Sequence, residues 1–141
     1  MAMTGGCLCK AVRYRISEPP LNVRSCWCRL CQYLGGGSGT VNALFKTAAV
    51  TVDGELREFQ SVADSGNLMH WWFCSKCGTP VLVTSDRRPH ITVVRVGTLD
   101  DPESVKPAAT IWAAMAPTWA PMDPRLPRIE GQPPPPAVPA A

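Results

Sequence analysis

The sequence lacks any cluster of basic residues. Charged residues make up only 18% of the chain, the formal net charge is +3, and the arginines and lysines are scattered along it. A nucleic-acid-binding stripe or a polybasic membrane patch would need such a cluster. The sequence therefore predicts no nucleic-acid partner and no membrane partner.

Long apolar runs are also missing. The apolar stretches are far shorter than the roughly 20 residues that span a bilayer, and residues 1–7 lack the charged start and apolar segment of a secretory signal. We therefore expect a cytoplasmic protein, in a compartment where thiols stay reduced. The apolar fraction of 45% excludes disorder over most of the chain, and 141 residues suit one domain with one modest core.

Helix signals are few. Alternating or β-branched segments separated by glycine, proline and Asp-Gly turns predict a mainly β fold of short antiparallel strands. One helical turn is expected to follow the cysteines near residue 30 and to end at the glycine run 35–39. The predicted strands are 7–16, 21–25, 40–45, 50–52, 56–62, 67–73, 80–84, 91–96 and 110–114.

The cysteine count is odd. Seven cysteines would leave one thiol unpaired in a set of disulfides, whereas they divide into four plus three as metal ligands. The C-x-C pair Cys7 and Cys9 needs partners that are distant in sequence, and the C-x-x-C pair Cys74 and Cys77 is the obvious complement. We predict that these four thiolates form a closed structural zinc site that joins the first strand to a later hairpin.

The remaining triplet, Cys26, Cys28 and Cys31, is dense enough to hold a second zinc with one coordination position open. Three protein ligands and an exchangeable fourth are typical of catalytic zinc, and a thiolate-rich site favours a soft thiol as the fourth ligand. Alternatively, His70, His90 or an aspartate completes a second structural site, or the triplet is a reduced cluster without metal. His70 lies within a strand and His90 in a turn, so we interpret both as residues without a ligand role.

The C-terminal segment is rich in proline and poor in residues that could be buried. We assign residues 1–130 to a zinc-binding domain and residues 131–141 to a disordered or polyproline tail. The four-proline run also has the form of a ligand for an aromatic-lined groove.

The order and spacing of these motifs resemble the glutathione-dependent formaldehyde-activating enzyme family, which includes the centromere protein V domain. The resemblance covers about residues 4–130 and includes all seven cysteines. It rests on Gly5-Gly6-Cys7-Leu-Cys9, Val12-Arg13-Tyr14, Cys26-Trp-Cys28-Arg-Leu-Cys31, Phe73-Cys74-Ser-Lys-Cys77-Gly78-Thr79 and the closing segment from Ile111-Trp112 through Trp119 to Leu126-Pro127.

The resemblance implies a zinc-bearing β-tent fold and carbon–sulfur lyase chemistry, in which glutathione and formaldehyde interconvert with S-(hydroxymethyl)glutathione. By position, the first four cysteines match the family's structural zinc ligands and the triplet matches its catalytic ones. Three residues depart from the family's usual pattern: Lys10 replaces a glycine, and Trp27 and Thr110 replace histidines.

A second hypothesis is a zinc module without catalytic activity that binds a protein partner. The five tryptophans could form such a surface, but in a chain with few other aromatic residues we expect them in the core and in pocket walls. The open position of the triplet favours the enzyme.

Overall fold

A computed structural model describes residues 2–138, and over this range the chain forms ten strands, one short α-helix and four 3₁₀ turns. The predicted mainly β fold is confirmed. In chain order the elements are β1 (Met3–Gly6), β2 (Arg13–Ile16), β3 (Asn22–Cys26), α1 (Arg29–Leu34), β4 (Thr40–Lys46), β5 (Val50–Asp53), β6 (Leu56–Val62), β7 (Leu68–Cys74), β8 (Pro80–Ser85), β9 (Ile91–Arg95) and β10 (Thr110–Ile111), with 3₁₀ turns at Thr47–Ala49, Val96–Thr98, Pro102–Ser104 and Ala113–Met115.

The strands form two sheets. The small sheet has the order β1-β2-β5, and the large sheet has the order β10-β3-β4-β9-β8-β7-β6. Every pair is antiparallel except β10 with β3, which is parallel. The core lies between the sheets, where Val12, Tyr14 and Ile16 pack against apolar residues of the large sheet.

The two faces of the large sheet differ in chemistry. Val23, Ala43 and Val94 are cross-strand neighbours on β3, β4 and β9, and all three belong to the core. The next row of the same strands is Arg24, Asn42 and Arg95. Because side chains alternate between faces along a strand, this polar row lies on the face opposite the core.

The chain around the first two cysteines differs from the prediction. The expected strand over residues 7–16 is wrong in its first half, because residues 7–12 form a tight turn between β1 and β2. The backbone N–H of Lys10 donates to the carbonyl of Cys7 at 3.1 Å, and Lys10 has a φ of 68°. A turn lets both sulfurs of a C-x-C pair point to one place, whereas a strand would send alternate side chains to different environments.

The C-terminal part lies beside β10 and parallel to it. The Thr110 N–H donates to the carbonyl of Pro127 at 3.0 Å, and the Ile129 N–H donates to the carbonyl of Thr110 at 2.8 Å. Gly131 and Gln132, the first residues of the predicted tail, accept hydrogen bonds from the backbone and the indole of Trp112 at 3.2 and 2.9 Å. The division at Glu130 stays a prediction, and residues 139–141 of the predicted tail lie outside the described range.

Within residues 2–138, no helix combines the length and the apolar character that crossing a bilayer requires.

Candidate metal centres and active-site cleft

The structure brings Cys7, Cys9, Cys74 and Cys77 together. Their four sulfurs lie within 4.8 Å of one another, and Cys9 Sγ is 3.6 Å from Cys7 Sγ and 3.7 Å from Cys74 Sγ. A tetrahedron with zinc–sulfur bonds of about 2.3 Å has sulfur–sulfur edges of about 3.8 Å. The quartet therefore has the dimensions of a four-thiolate zinc site.

Backbone N–H groups surround the quartet. The N–H of Val12 donates to Cys7 Sγ at 3.2 Å, and those of Lys76 and Cys77 donate to Cys74 Sγ at 3.3 and 3.5 Å. Hydrogen bonds from Thr79 lower the pKa of Cys77 to about 5. Donors directed at sulfur stabilise the thiolate form, which is the form that binds metal.

Cys26, Cys28 and Cys31 form the second cluster, at the end of β3 and the start of α1. Cys28 is the N-cap of α1, because its sulfur accepts a hydrogen bond from the Cys31 N–H at 3.3 Å. This cap brings the third sulfur of the triplet back towards the first two. All three sulfurs lie within 4.8 Å of one another.

Three thiols this close together can bind a cation. Contacts with the thiols of Cys28 and Cys31, together with burial, raise the pKa of Cys26, while contacts with Cys26 and Cys28 lower the pKa of Cys31. The three sulfurs cannot all be anions unless a positive charge lies between them. The donor set therefore fits zinc.

No other potential metal ligand joins the triplet in the part of the chain that the structure describes. The group contains the three cysteines and no histidine, aspartate or glutamate. His70 lies between Glu58 and Asp86, at 2.9 and 2.6 Å from their carboxylate oxygens, and these contacts raise its pKa. His90 is exposed. The alternative in which either histidine completes the triplet has no support in this geometry.

A cleft of about 280 Å³ opens beside the triplet. Its floor is the outer face of the large sheet, and its lining includes all three triplet cysteines and none of the quartet. Ile111 and Trp112 form one wall beside the sulfurs, and Trp71 lies on the floor. The two clusters thus differ in their surroundings. Cys9 and Cys77 of the quartet are exposed to solvent, whereas the triplet, with Cys26 and Cys31 buried, borders a cleft that can receive a small molecule.

The tryptophans follow the expectation in part. Trp71 and Trp112 line the cleft, Trp27 is buried and Trp72 packs against the core, but Trp119 is exposed.

Of the three departures from the family pattern, none contributes to the cleft lining. Trp27 is buried and Thr110 is buried in the β10 pairing, and neither borders the cleft. Lys10 lies in the turn of the quartet, in the left-handed conformation. A glycine, which the resemblance leads us to expect at this position, would adopt that conformation without the cost of about 1–2 kcal/mol that it carries for other residues.

Sequence reasoning missed two residues of the cleft, Arg24 and Arg95. Both are buried, at 7% and 8% exposure, and both line the cleft. Two features of the sequence could have indicated them. Arg24 lies two residues before Cys26 in a predicted strand, which places both side chains on one face. Arg95 is an isolated charged residue at the end of the apolar run 91–94.

Comparisons with known proteins agree with this architecture. A sequence profile of the family described as glutathione-dependent formaldehyde-activating enzyme matches residues 2–115. A curated protein of Halomonas elongata, which carries the provisional name of a glutathione-dependent formaldehyde-activating enzyme, is 31% identical over 98 residues. That alignment covers 64% of this chain and 61% of the relative, so this chain spans less than two thirds of the relative's length. The crystal structure of a Rhodobacter sphaeroides protein superposes with a TM-score of 0.57 and 25% identity, covering 72% of this chain and 94% of that one.

The profile match takes in both cysteine clusters and both sheets. It extends over far more than half of the 141 residues. The chain therefore belongs to the glutathione-dependent formaldehyde-activating enzyme family.

Proposed function

We propose that this chain is a zinc-dependent carbon–sulfur lyase that joins formaldehyde to glutathione, or to a similar small thiol, and reverses that addition. The observation that carries the proposal is the position of the triplet: three thiols converge within 4.8 Å at the wall of a cleft, with no fourth protein ligand among residues 2–138. The quartet, which has four ligands and does not border the cleft, takes the structural role.

The proposed reaction is an addition without any change of redox state. The thiol sulfur bonds to the carbonyl carbon of formaldehyde, the π electrons move to the oxygen, and the thiol proton ends on that oxygen. The reverse step breaks the carbon–sulfur bond. Zinc held by three thiolates would lower the pKa of an incoming fourth thiol and thereby supply the nucleophile.

The protein's own residues shape the place where this happens. Burial of Cys26 and Cys31 against Ile111 keeps water from one side of the sulfur cluster. Trp112 extends this apolar wall and is fixed by its hydrogen bonds to Gly131 and Gln132. Cys28 is only half-buried, so the accessible side of the cluster is directed at the cleft. A thiol substrate can therefore approach the sulfurs from the cleft.

Cys28→Ser tests the proposal with little disturbance of the fold. Serine is among the preferred helix N-caps, so its hydroxyl can replace the Cys28 sulfur as the acceptor for the Cys31 N–H. We expect a folded variant that loses about one zinc per chain and, by orders of magnitude, its exchange activity. The measurements are metal analysis, thermal melting by circular dichroism, and two-dimensional exchange NMR of glutathione with formaldehyde.

The matched control is Tyr33→Phe, a change on the exposed side of the same helix. It should keep both the zinc content and the exchange rate of the wild type. A folded Cys28→Ser protein with wild-type exchange would refute the catalytic role of the triplet. Cooperative unfolding on loss of this one zinc would instead make the triplet a structural site, as in a zinc module that only binds a partner.

A further inference from the structure

The floor of the cleft carries two buried guanidinium groups without carboxylate partners. Arg24 and Arg95 are more than nine-tenths buried, and in the described part of the chain neither forms an ion pair with an acidic residue. Arg24 Nη1 and Arg95 Nε and Nη2 have no hydrogen-bond partner among residues 2–138. Buried charged groups in proteins are normally paired, so these donors require an explanation.

The fold places both arginines in one row and fixes the side chain of Arg95. Arg24 and Arg95 flank Asn42 in one cross-strand row of β3, β4 and β9. Arg95 Nη1 donates to Asn42 Oδ1 at 2.6 Å and to Thr40 Oγ1 at 3.1 Å, and its guanidinium lies 5.4 Å from the centre of the Trp71 ring. One side of the Arg95 guanidinium is thus fixed, and the two nitrogens of its other side, Nε and Nη2, are buried without a hydrogen-bond partner among the described residues.

Arginines outnumber carboxylates in the lining of the cleft. The described residues that line the cleft include four arginines, namely Arg24, Arg29, Arg88 and Arg95. They include one carboxylate, that of Asp64, which lies in an exposed turn. Carboxylates of the protein therefore do not neutralise the positive potential of the floor. It favours an anionic ligand in the cleft.

The distance from these donors to the sulfurs defines what the ligand looks like. Cys26 follows Arg24 by two residues on the same face of β3, which separates their Cα atoms by about 7 Å. A planar carboxylate matches the unpartnered N–H donors of the two guanidinium groups better than a spherical anion does, because arginine binds carboxylates through paired N–H donors. A ligand that reaches both groups is a small thiol with a carboxylate a few bonds from its sulfur.

We propose that Arg24 and Arg95 form a carboxylate subsite that selects anionic thiols for the cysteine triplet. This inference rests on the proposed function for the identity of the reaction, but the subsite itself can be measured by binding. A thiol without a carboxylate would leave both guanidinium groups buried and unpaired in the complex, which penalises it relative to the charged thiol.

The test compares two ligands that differ by one charge, N-acetylcysteine and N-acetylcysteine amide, on the purified protein with its zinc content determined. We expect isothermal titration calorimetry to show about 10- to 100-fold tighter binding of the carboxylate, the range for charged hydrogen bonds to a buried site. In Arg24→Gln and in Arg95→Gln, the preference should fall below about threefold, through weaker binding of the carboxylate and not of the amide.

The control variant is Arg15→Gln, an exposed arginine on the small sheet, which should keep the wild-type preference. Equal binding of both ligands by the wild type would overturn the inference, and this comparison needs no variant to fold. Equal weakening of both ligands in the arginine variants would also overturn it, because it would mean that the arginines only balance the charge of the thiolates. If a glutamine variant melts early, Arg24→Lys replaces it, and partial retention of the preference is then expected.

A sulfur-free pair separates this inference from the proposed function. N-acetylalanine and its amide cannot act as thiols, and the indole N–H resonance of Trp71, which lies beside Arg95 and donates to Ser61 Oγ at 2.6 Å, reports binding near the subsite. A shift with the carboxylate and none with the amide supports the subsite even if the protein does not exchange formaldehyde. Formaldehyde exchange without any carboxylate preference in either pair refutes the subsite and leaves the proposed function intact.

Discussion

Replacing Cys74 by serine removes one ligand of the quartet and tests whether this cluster holds the two sheets together. Cys74 ends β7 of the large sheet, and its sulfur is 3.7 Å from that of Cys9, in the turn between β1 and β2 of the small sheet. The two residues are 65 positions apart in the sequence. A metal at this point therefore connects distant parts of the chain across the core.

The expected magnitude follows from comparing two free energies. A structural zinc contributes on the order of 10 kcal/mol to folding, whereas the net free energy of unfolding of a domain is about 5–15 kcal/mol. Cys74 is also only 1% exposed, so serine would bury a hydroxyl group in the core at a further cost of about 1–3 kcal/mol. The sum is comparable to the whole stability of the domain, so we expect Cys74→Ser to be unfolded or strongly destabilised.

The assay combines thermal melting by circular dichroism, size-exclusion chromatography and zinc analysis on one preparation. The matched control is Lys76→Ser, which introduces the same residue at an exposed position of the same turn and should behave as the wild type. A monodisperse Cys74→Ser protein with the melting temperature and zinc content of the wild type would refute the structural role of the quartet.

Two smaller effects are also expected. Glu58 and Asp86 raise the pKa of His70. Their ion pairs with the protonated ring should therefore stabilise the fold fully at a pH below the ordinary histidine pKa of about 6.5. This stabilisation should be lost as the pH rises through the raised pKa of His70. His70→Gln should therefore lower the melting temperature at acidic pH and converge with the wild type at alkaline pH; parallel profiles would contradict this assignment. Deleting residues 133–141 should leave the melting temperature and zinc content unchanged, whereas a deletion that starts at Gly131 should lower the melting temperature, because it removes the acceptors of Trp112. If the deletion from residue 133 alone lowers the melting temperature, the proline-rich segment contributes to the fold.

Local sequence patterns predicted most strands, because alternation and turn residues act over a few positions. The predicted strand 56–62 has the same bounds in the structure, and 40–45 and 80–84 differ from it by one residue each. The helical turn and its end at the glycines are confirmed, since Gly35 is the C-cap of α1. The cysteine spacing also predicted which sulfurs meet, because short loops restrict where a thiol can point.

The errors lie where contacts beyond the local pattern decide the backbone. Alternation of Val12, Tyr14 and Ile16 extended the predicted first strand too far, because the residues before Val12 are required to turn around the quartet. The strand β1 has almost no alternation in Met-Thr-Gly-Gly, and it forms because β2 lies beside it. The predicted strand 110–114 stops at Ile111, where Trp112 adopts a left-handed conformation with a φ of 54° and the chain turns into the wall of the cleft.

The buried arginines show a further limit of reasoning from charge counts. Along the sequence, Arg24 and Arg95 are two members of a scattered set, and a scattered set argues against a nucleic-acid stripe. In the fold, β4 lies between β3 and β9, so the same two residues are separated by one strand and share a face. Their proximity depends on strand order, which the sequence pattern did not specify. The scattered charges in the sequence thus gave no sign of this pair, and it is the sheet topology that brings the two arginines beside a cluster of thiols.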